Sequence, residues 1–243
     1  MSSMPTEMNK NFSLEDFEKG LMLAGLVTPS SLQEYQELAS VQAYEKSLKE
    51  KDRQTYFKRV VLAAEIVERL HNEPSLGRVK FQKLVYICEH MAEMRITNRY
   101  DKQAAGPFDN KFMYSIGKEF RKQKWFAIEQ SKVDNYTRYK FVPLEKHENY
   151  KGYYNSYFGD LNDRIQFIIE LFRKQKTEFT ELATTVFACF LELKNQNRII
   201  NQSSMIDLFY NWAESKRKFS EQEILNSFEW LRKNGLIKHT NLI

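Results

Sequence analysis

The residues of this chain best placed to do chemistry are cations. Between Lys111 and Lys124 there are five, Lys111, Lys118, Arg121, Lys122 and Lys124, against a single acid, Glu119. Helical spacing sets Lys118, Arg121 and Lys122 on neighbouring positions of one face, and Trp125 follows directly. Placed beside a hairpin, such an array can neutralise nucleic-acid phosphates, each contact releasing a counterion. The same array also suits a helix C-terminus, where the macrodipole favours positive charge and the side chains are simply solvated. A second cluster, Lys216-Arg217-Lys218, falls between two expected helices and is the other candidate for phosphate contact.

Other reactive groups do not assemble. The four histidines, His71, His90, His147 and His239, are dispersed. Glu89-His90 with Glu93 is a fragment of a zinc helix that lacks the second His one turn on. No phosphate-binding Gly-rich loop, nucleophile elbow or Cys-His arrangement is present. Metal-assisted hydrolysis needs clustered carboxylates with a Lys, whereas the acids here are scattered among Lys and Arg. The expectation is a protein without catalytic residues, metal or cofactor. Ala104-Ala105-Gly106-Pro107-Phe108 reads as a close backbone approach at the start of a helix, which serves structure or offers its N–H groups to an anion. Tyr150, Tyr153, Tyr154, Tyr157 and Phe158 suit a packed junction, a protein interface or base stacking.

The elements that must position these residues are mostly helical. With 8 Gly and 5 Pro in 243 residues, turn residues are too scarce for an all-β fold. A hydrophobic share of 42% supplies a proper core. Helices are expected over 13–25, 32–51, 56–70, 79–94, 108–122, 161–175, 180–194, 203–212 and 220–233. The period changes at Trp125: residues 125–130 and 136–142 predict a β-hairpin with its tip at 131–135, ending at Pro143. Three helices followed by a hairpin is a winged-helix layout. Asn234-Gly235 stops the last helix, and Leu236-Ile237-Lys238 starts a strand.

No apolar run approaches the roughly 18–20 residues of a membrane span. The N-terminal residues also lack the apolar stretch of a secretory signal. Cys88 and Cys189 sit among apolar neighbours and read as small buried hydrophobes in a reducing compartment. The net charge of +5 permits nucleic acid without specifying it.

The run Gly77-Arg78-Val79-Lys80-Phe81-Gln82-Lys83-Leu84, with Tyr86, Glu89, Gln103-Ala104-Ala105-Gly106-Pro107-Phe108-Asp109 and Lys124-Trp125-Phe126, resembles bacterial restriction endonuclease specificity-subunit-like proteins. Lys80-x-x-Lys83-Leu84-x-Tyr86 and the later Gly-Pro are similar, more loosely, to the Panacea (SocA-like antitoxin) domain. Thr184-Thr185-Val186-Phe187-Ala188, Trp212, Ser215 to Phe219 and Trp230 to Leu236 look like a tail of restriction-modification-related chains. The chain is too short for two target-recognition domains. The resemblance therefore implies an accessory or regulatory segment of a defence locus and no catalytic residue.

Together these readings predict a mainly α protein with short β-hairpins: a helical N-terminal arm (1–55), a winged-helix-like domain (56–145), a Tyr-rich junction (146–160) and a second winged-helix-like domain (161–243). The expected function is that of a cytoplasmic, non-catalytic DNA-associated accessory or regulatory protein of a bacterial defence or restriction-modification system. Double-stranded DNA is the expected partner, contacted by Lys111, Lys118, Arg121, Lys122, Lys124, Lys216, Arg217 and Lys218. The alternative is an antitoxin-like adaptor that binds and controls a protein partner.

Overall fold

Two helices, α2 (Arg78–Met91) and α6 (Thr177–Asn195), are buried over so much of their girth that the rest of the fold is laid around them. Eleven of the fourteen residues of α2 are buried, Lys80, Gln82, Lys83 and Glu89 among them. In α6 the buried hydroxyls of Thr180, Thr184 and Thr185 donate to the carbonyls of Lys176, Thr180 and Glu181 at 3.0, 2.7 and 2.8 Å. That local bond lets a polar β-branched residue sit in a helix core without an orphaned group.

The computed structural model describes residues 52–94, 96, 99–133 and 136–237. The chain divides into two units, Met1–Thr55 and Tyr56–Ile243, and the second is described here. The helices expected over 13–25 and 32–51 lie outside the described residues.

The protein is mainly helical with two antiparallel two-stranded hairpins. Helix α1 spans residues 52–70. After α2 come β1 (Asp101–Gln103) and β2 (Gly106–Phe108), then α3 (Asn110–Gln123), β3 (Phe126–Val133) and β4 (Tyr136–Pro143). The order helix, helix, helix, hairpin is thus present over 56–143, with the β1–β2 ribbon inserted ahead of its third helix. β3 and β4 pair in register from Phe126↔Pro143 to Val133↔Tyr136, so Ser131, Lys132 and Val133, expected in the tip, belong to the strand. A one-turn 3₁₀ helix leads into α4 (Lys151–Phe158), followed by α5 (Asn162–Arg173), α6, α7 (Gln202–Tyr210) and α8 (Glu221–Lys233).

Caps set the ends. Asp109 accepts from the Phe112 amide at 2.9 Å and opens α3. Capping boxes at Asn201/Ser204 and Ser220/Glu223 open α7 and α8. Gly235, at φ +72°, closes α8 in the left-handed conformation expected of it. Residues 236–237 form a bend, and the remainder of the expected strand lies outside the described residues.

Side chains from Val60 to Ile237 join one buried cluster, so helices on both sides of residues 146–160 share a core. The Tyr-rich segment is itself helical. Tyr150, Tyr154 and Phe158 recur every fourth residue and point inward, and the Tyr150 hydroxyl donates to Glu65. Cys88 and Cys189 are buried and free, each thiol pushed up by burial. No helix among the described residues is long and apolar enough to cross a membrane.

Candidate nucleic-acid interface

Helix α3 carries its cations on a definite stripe. Lys111, Tyr114, Lys118 and Arg121 follow at spacings of three, four and three, and all four are exposed. Opposite this stripe stands the β3–β4 hairpin. Strand alternation and the register put Ile128, Gln130 and Lys132 on the same face as Phe141, Tyr139 and Thr137. Between helix and hairpin runs an open cleft of about 480 Å³, lined by Arg78, Met113, Tyr114, Gly117, Lys118, Arg121, Ile128, Gln130, Tyr139 and Phe141.

The floor is apolar and fixed. Phe141 packs against Phe81 with ring centroids 4.7 Å apart, which ties the hairpin to α2. Gly117 leaves the floor open, since a Cβ there would already stand in contact with Ile128. The walls are polar. Arg78, the first residue of α2, donates to the Tyr139 hydroxyl at 3.3 Å and lies 5.6 Å from that ring's centroid. A guanidinium at a helix N-terminus opposes the macrodipole, and α2 has no acid in its first turn to offset it. Three cations line the cleft and no carboxylate does. Among the described residues no carboxylate pairs with Arg78, Lys118 or Arg121. Tyr114 is 74% exposed at the rim.

The expected basic cluster on α3 is therefore divided. Lys118 and Arg121 face the cleft, with Lys111 further along their stripe. Lys122 and Lys124 lie instead beside Trp125, Lys146 and Tyr153 in a separate hollow. Lys122 stands 3.5 Å from Glu119, and Lys124 is paired with Glu145 at 2.5 Å. Lys124 is the left-handed C-cap of α3, at φ +60°, so its backbone turns its side chain away from the helix stripe. Trp125 is buried against Phe57 and Tyr150, where it anchors the start of β3.

Within the tripeptide 216–218, Lys216 needs a correction. Lys216 is fully buried, donating to Glu181 at 2.8 Å and to Thr185 at 3.1 Å, and it cannot reach a phosphate. Arg217 is paired with Glu214, and Lys218 lies within 3.6 Å of both Glu178 and Glu181. Both side chains stay exposed, each with a carboxylate beside it. The sequence around Lys216, Glu214-Ser215-Lys216-Arg217-Lys218, is polar and carries no signal of a buried lysine.

A buried polar network holds α3 in place. Arg59 donates to Glu89 and to Asp109, each at 2.6 Å, and Tyr100 donates to the other Glu89 oxygen. The Arg59 guanidinium also stands 4.1 Å from the Phe112 ring centroid. Burial raises the Glu89 carboxyl against the pull of Arg59. Asp109 thereby links α1, α2 and the first turn of α3, and its carboxylate occupies the helix start where an anion would otherwise sit. Gly106-Pro107 belongs to β2 rather than to the helix. Gly106 has φ +98°, and a Cβ there would meet Thr185 Oγ1 at 2.6 Å, so the close approach read from the sequence is real and structural.

Burial among Tyr86, Tyr100 and Phe187 lowers His90 to about 4, leaving it neutral, and Glu89 is committed to Arg59. Among the described residues no three His, Cys, Asp or Glu side chains form a group able to hold a metal ion. Sequence reasoning missed Arg78, Tyr114, Gln130, Lys132 and Tyr139. Tyr114 was findable from its spacing within the stripe, and the hairpin residues from strand alternation. No protein-family model matches the sequence, and no curated protein matches it either.

Proposed function

We propose that this is a non-catalytic DNA-associated accessory or regulatory protein. Its sequence resemblance suggests service in a bacterial defence or restriction-modification system. The observation that carries the reading is the cleft between α3 and the hairpin: three cations without a carboxylate, flanked by exposed aromatic and amide side chains. An exposed helix stripe of Lys111, Lys118 and Arg121 beside the hairpin suits the sugar-phosphate backbone, which positions a protein on a duplex without reading sequence. Lys132, on the cleft face of the hairpin, extends the same field. Such contacts are electrostatic and release counterions.

Lysine footprinting by brief acetylation and mass spectrometry tests the reading. Added duplex DNA is expected to protect Lys111, Lys118 and Lys132 while leaving Lys122 and Lys124, on the separate hollow, as reactive as before. Unchanged reactivity at Lys118 and Lys132 would contradict it.

The antitoxin-like alternative requires an exposed apolar patch for a protein partner. Within 150–158 the exposed large apolar side chain is Tyr153, beside buried Tyr150, Tyr154 and Phe158. The other segment expected to supply such a patch, 13–50, lies outside the described residues.

A further inference from the structure

We propose that the cleft between α3 and the β3–β4 hairpin receives one unstacked nucleobase, so that the protein favours DNA carrying an unpaired base over a perfect duplex. The inference rests on the nucleic-acid reading above and goes past it to the form of the ligand.

The shape is the first argument. A helix face reads duplex DNA by entering its groove as a convex surface. Here the cations sit around a concavity also lined by the apolar residues Met113, Gly117, Ile128 and Phe141, a surface suited to the flat face of an unstacked base. The open cleft, of about 480 Å³, has room for one base.

The chemistry is the second. Unstacked bases are held on aromatic rings and on the planes of guanidinium groups, with edges read by polar side chains. The cleft presents Tyr114 and Tyr139 as rings, Arg78 as a guanidinium fixed over Tyr139, and Gln130 as an amide able both to donate and to accept. Lys118 and Arg121, on the α3 side, supply positive charge where the flanking phosphates would pass. The lack of a carboxylate in the lining fits a polyanion and disfavours a cationic or metal-bound ligand.

The third argument is the cost of the arrangement. Tyr114 is 74% exposed and gains little from folding, and Arg78 stands at the wrong end of a helix dipole. A bound base and its phosphates would use both.

The test is fluorescence anisotropy at one salt concentration with three labelled DNAs of equal length: a single strand, a perfect duplex, and that duplex with one bulged base. Wild type and Tyr114→Ala are compared, the substitution being exposed enough to leave the fold intact. Wild type is expected to bind the bulged duplex and the single strand at least tenfold more tightly than the perfect duplex. Loss of one stacking partner in Tyr114→Ala should weaken those two by roughly fivefold or more and shrink their preference over the perfect duplex. Equal affinity for all three DNAs would overturn the inference while leaving the basic-face reading intact. A preference that survives undiminished in Tyr114→Ala would overturn the assignment to this cleft. No binding to any of the three at low salt would remove both.

Discussion

Three cations of the same short run, Arg78, Lys80 and Lys83, show how little residue type alone says about role. Arg78 lines the cleft. Lys80 is buried with its ammonium on the carbonyls of Arg173 and Gln175 at 2.9 and 2.7 Å, where it caps the C-terminal end of α5. Lys83 donates to the Pro107 carbonyl at 2.7 Å, a position it shares with Gln82, and so holds the β1–β2 ribbon against α2. Burial, with the nearby Lys216 ammonium, brings Lys83 down to about 7, and Glu181 opposes the shift. The sign of the consequence is fixed by linkage. Between about pH 7 and the ordinary lysine value of 10.5 the unfolded chain holds a proton on Lys83 that the folded chain has lost, so stability rises with pH across that window. Lys80, lowered by burial to about 8, acts in the same direction over its upper part. Chemical-denaturant midpoints between pH 7 and 9 are expected to increase for the wild type and to flatten in Lys83→Met. A midpoint that falls as pH rises through this range would contradict the placement of Lys83.

At the scale of elements, the long periodic segments were legible and the short ones were not. Helices α2, α3, α5, α6, α7 and α8 fall within a few residues of their expected spans, because each carries enough apolar positions to define a face. The β1–β2 ribbon stands where the sequence predicts a close backbone approach at a helix start. Its strands have three residues each, too few to show alternation, and side chains of α2 hold it in place. The segment 146–160, expected as a Tyr-rich junction, is helical; a Cβ on Gly152 or Gly159 would meet nothing, so neither glycine interrupts it for a close approach. Helical spacing places Lys118, Arg121 and Lys122 on neighbouring positions, but in the structure Lys122 turns to the hollow that Lys124 also lines. The backbone turns left-handed at Lys124, a residue with a Cβ. A positive φ outside glycine carries a cost of about 1 kcal/mol. Lys124→Gly should therefore raise stability by roughly that amount, since the exposed pair it removes with Glu145 contributes little. Thermal or denaturant unfolding would show it, and destabilisation by the same change would mean that the pair outweighs the backbone term.

For the whole molecule, α3 and the start of α2 present a group of cations that pair with no carboxylate among the described residues. A net charge of +5 is modest, and many cations elsewhere are matched: Arg59 by Glu89 and Asp109, Arg173 by Glu73 and Glu170, Lys216 by Glu181. Lys111, Lys118 and Arg121 on α3, with Arg78 at the start of α2, are among the cations that no carboxylate pairs with among the described residues. Composition could not reveal this, because it depends on which cations fold toward carboxylates. The central claim is that this face, and not the 216–218 turn, meets the phosphates. The most direct measurement is the salt dependence of duplex binding by fluorescence anisotropy for wild type, Lys118→Ala/Arg121→Ala/Lys132→Ala and Arg217→Ala/Lys218→Ala. Each phosphate contact removed should lower the slope of log affinity against log salt by about 0.9. The triple variant is expected to lose a slope of about 2–3, and the double variant to match the wild type. A triple variant with the slope of the wild type, or a double variant with a shallower one, would contradict the account.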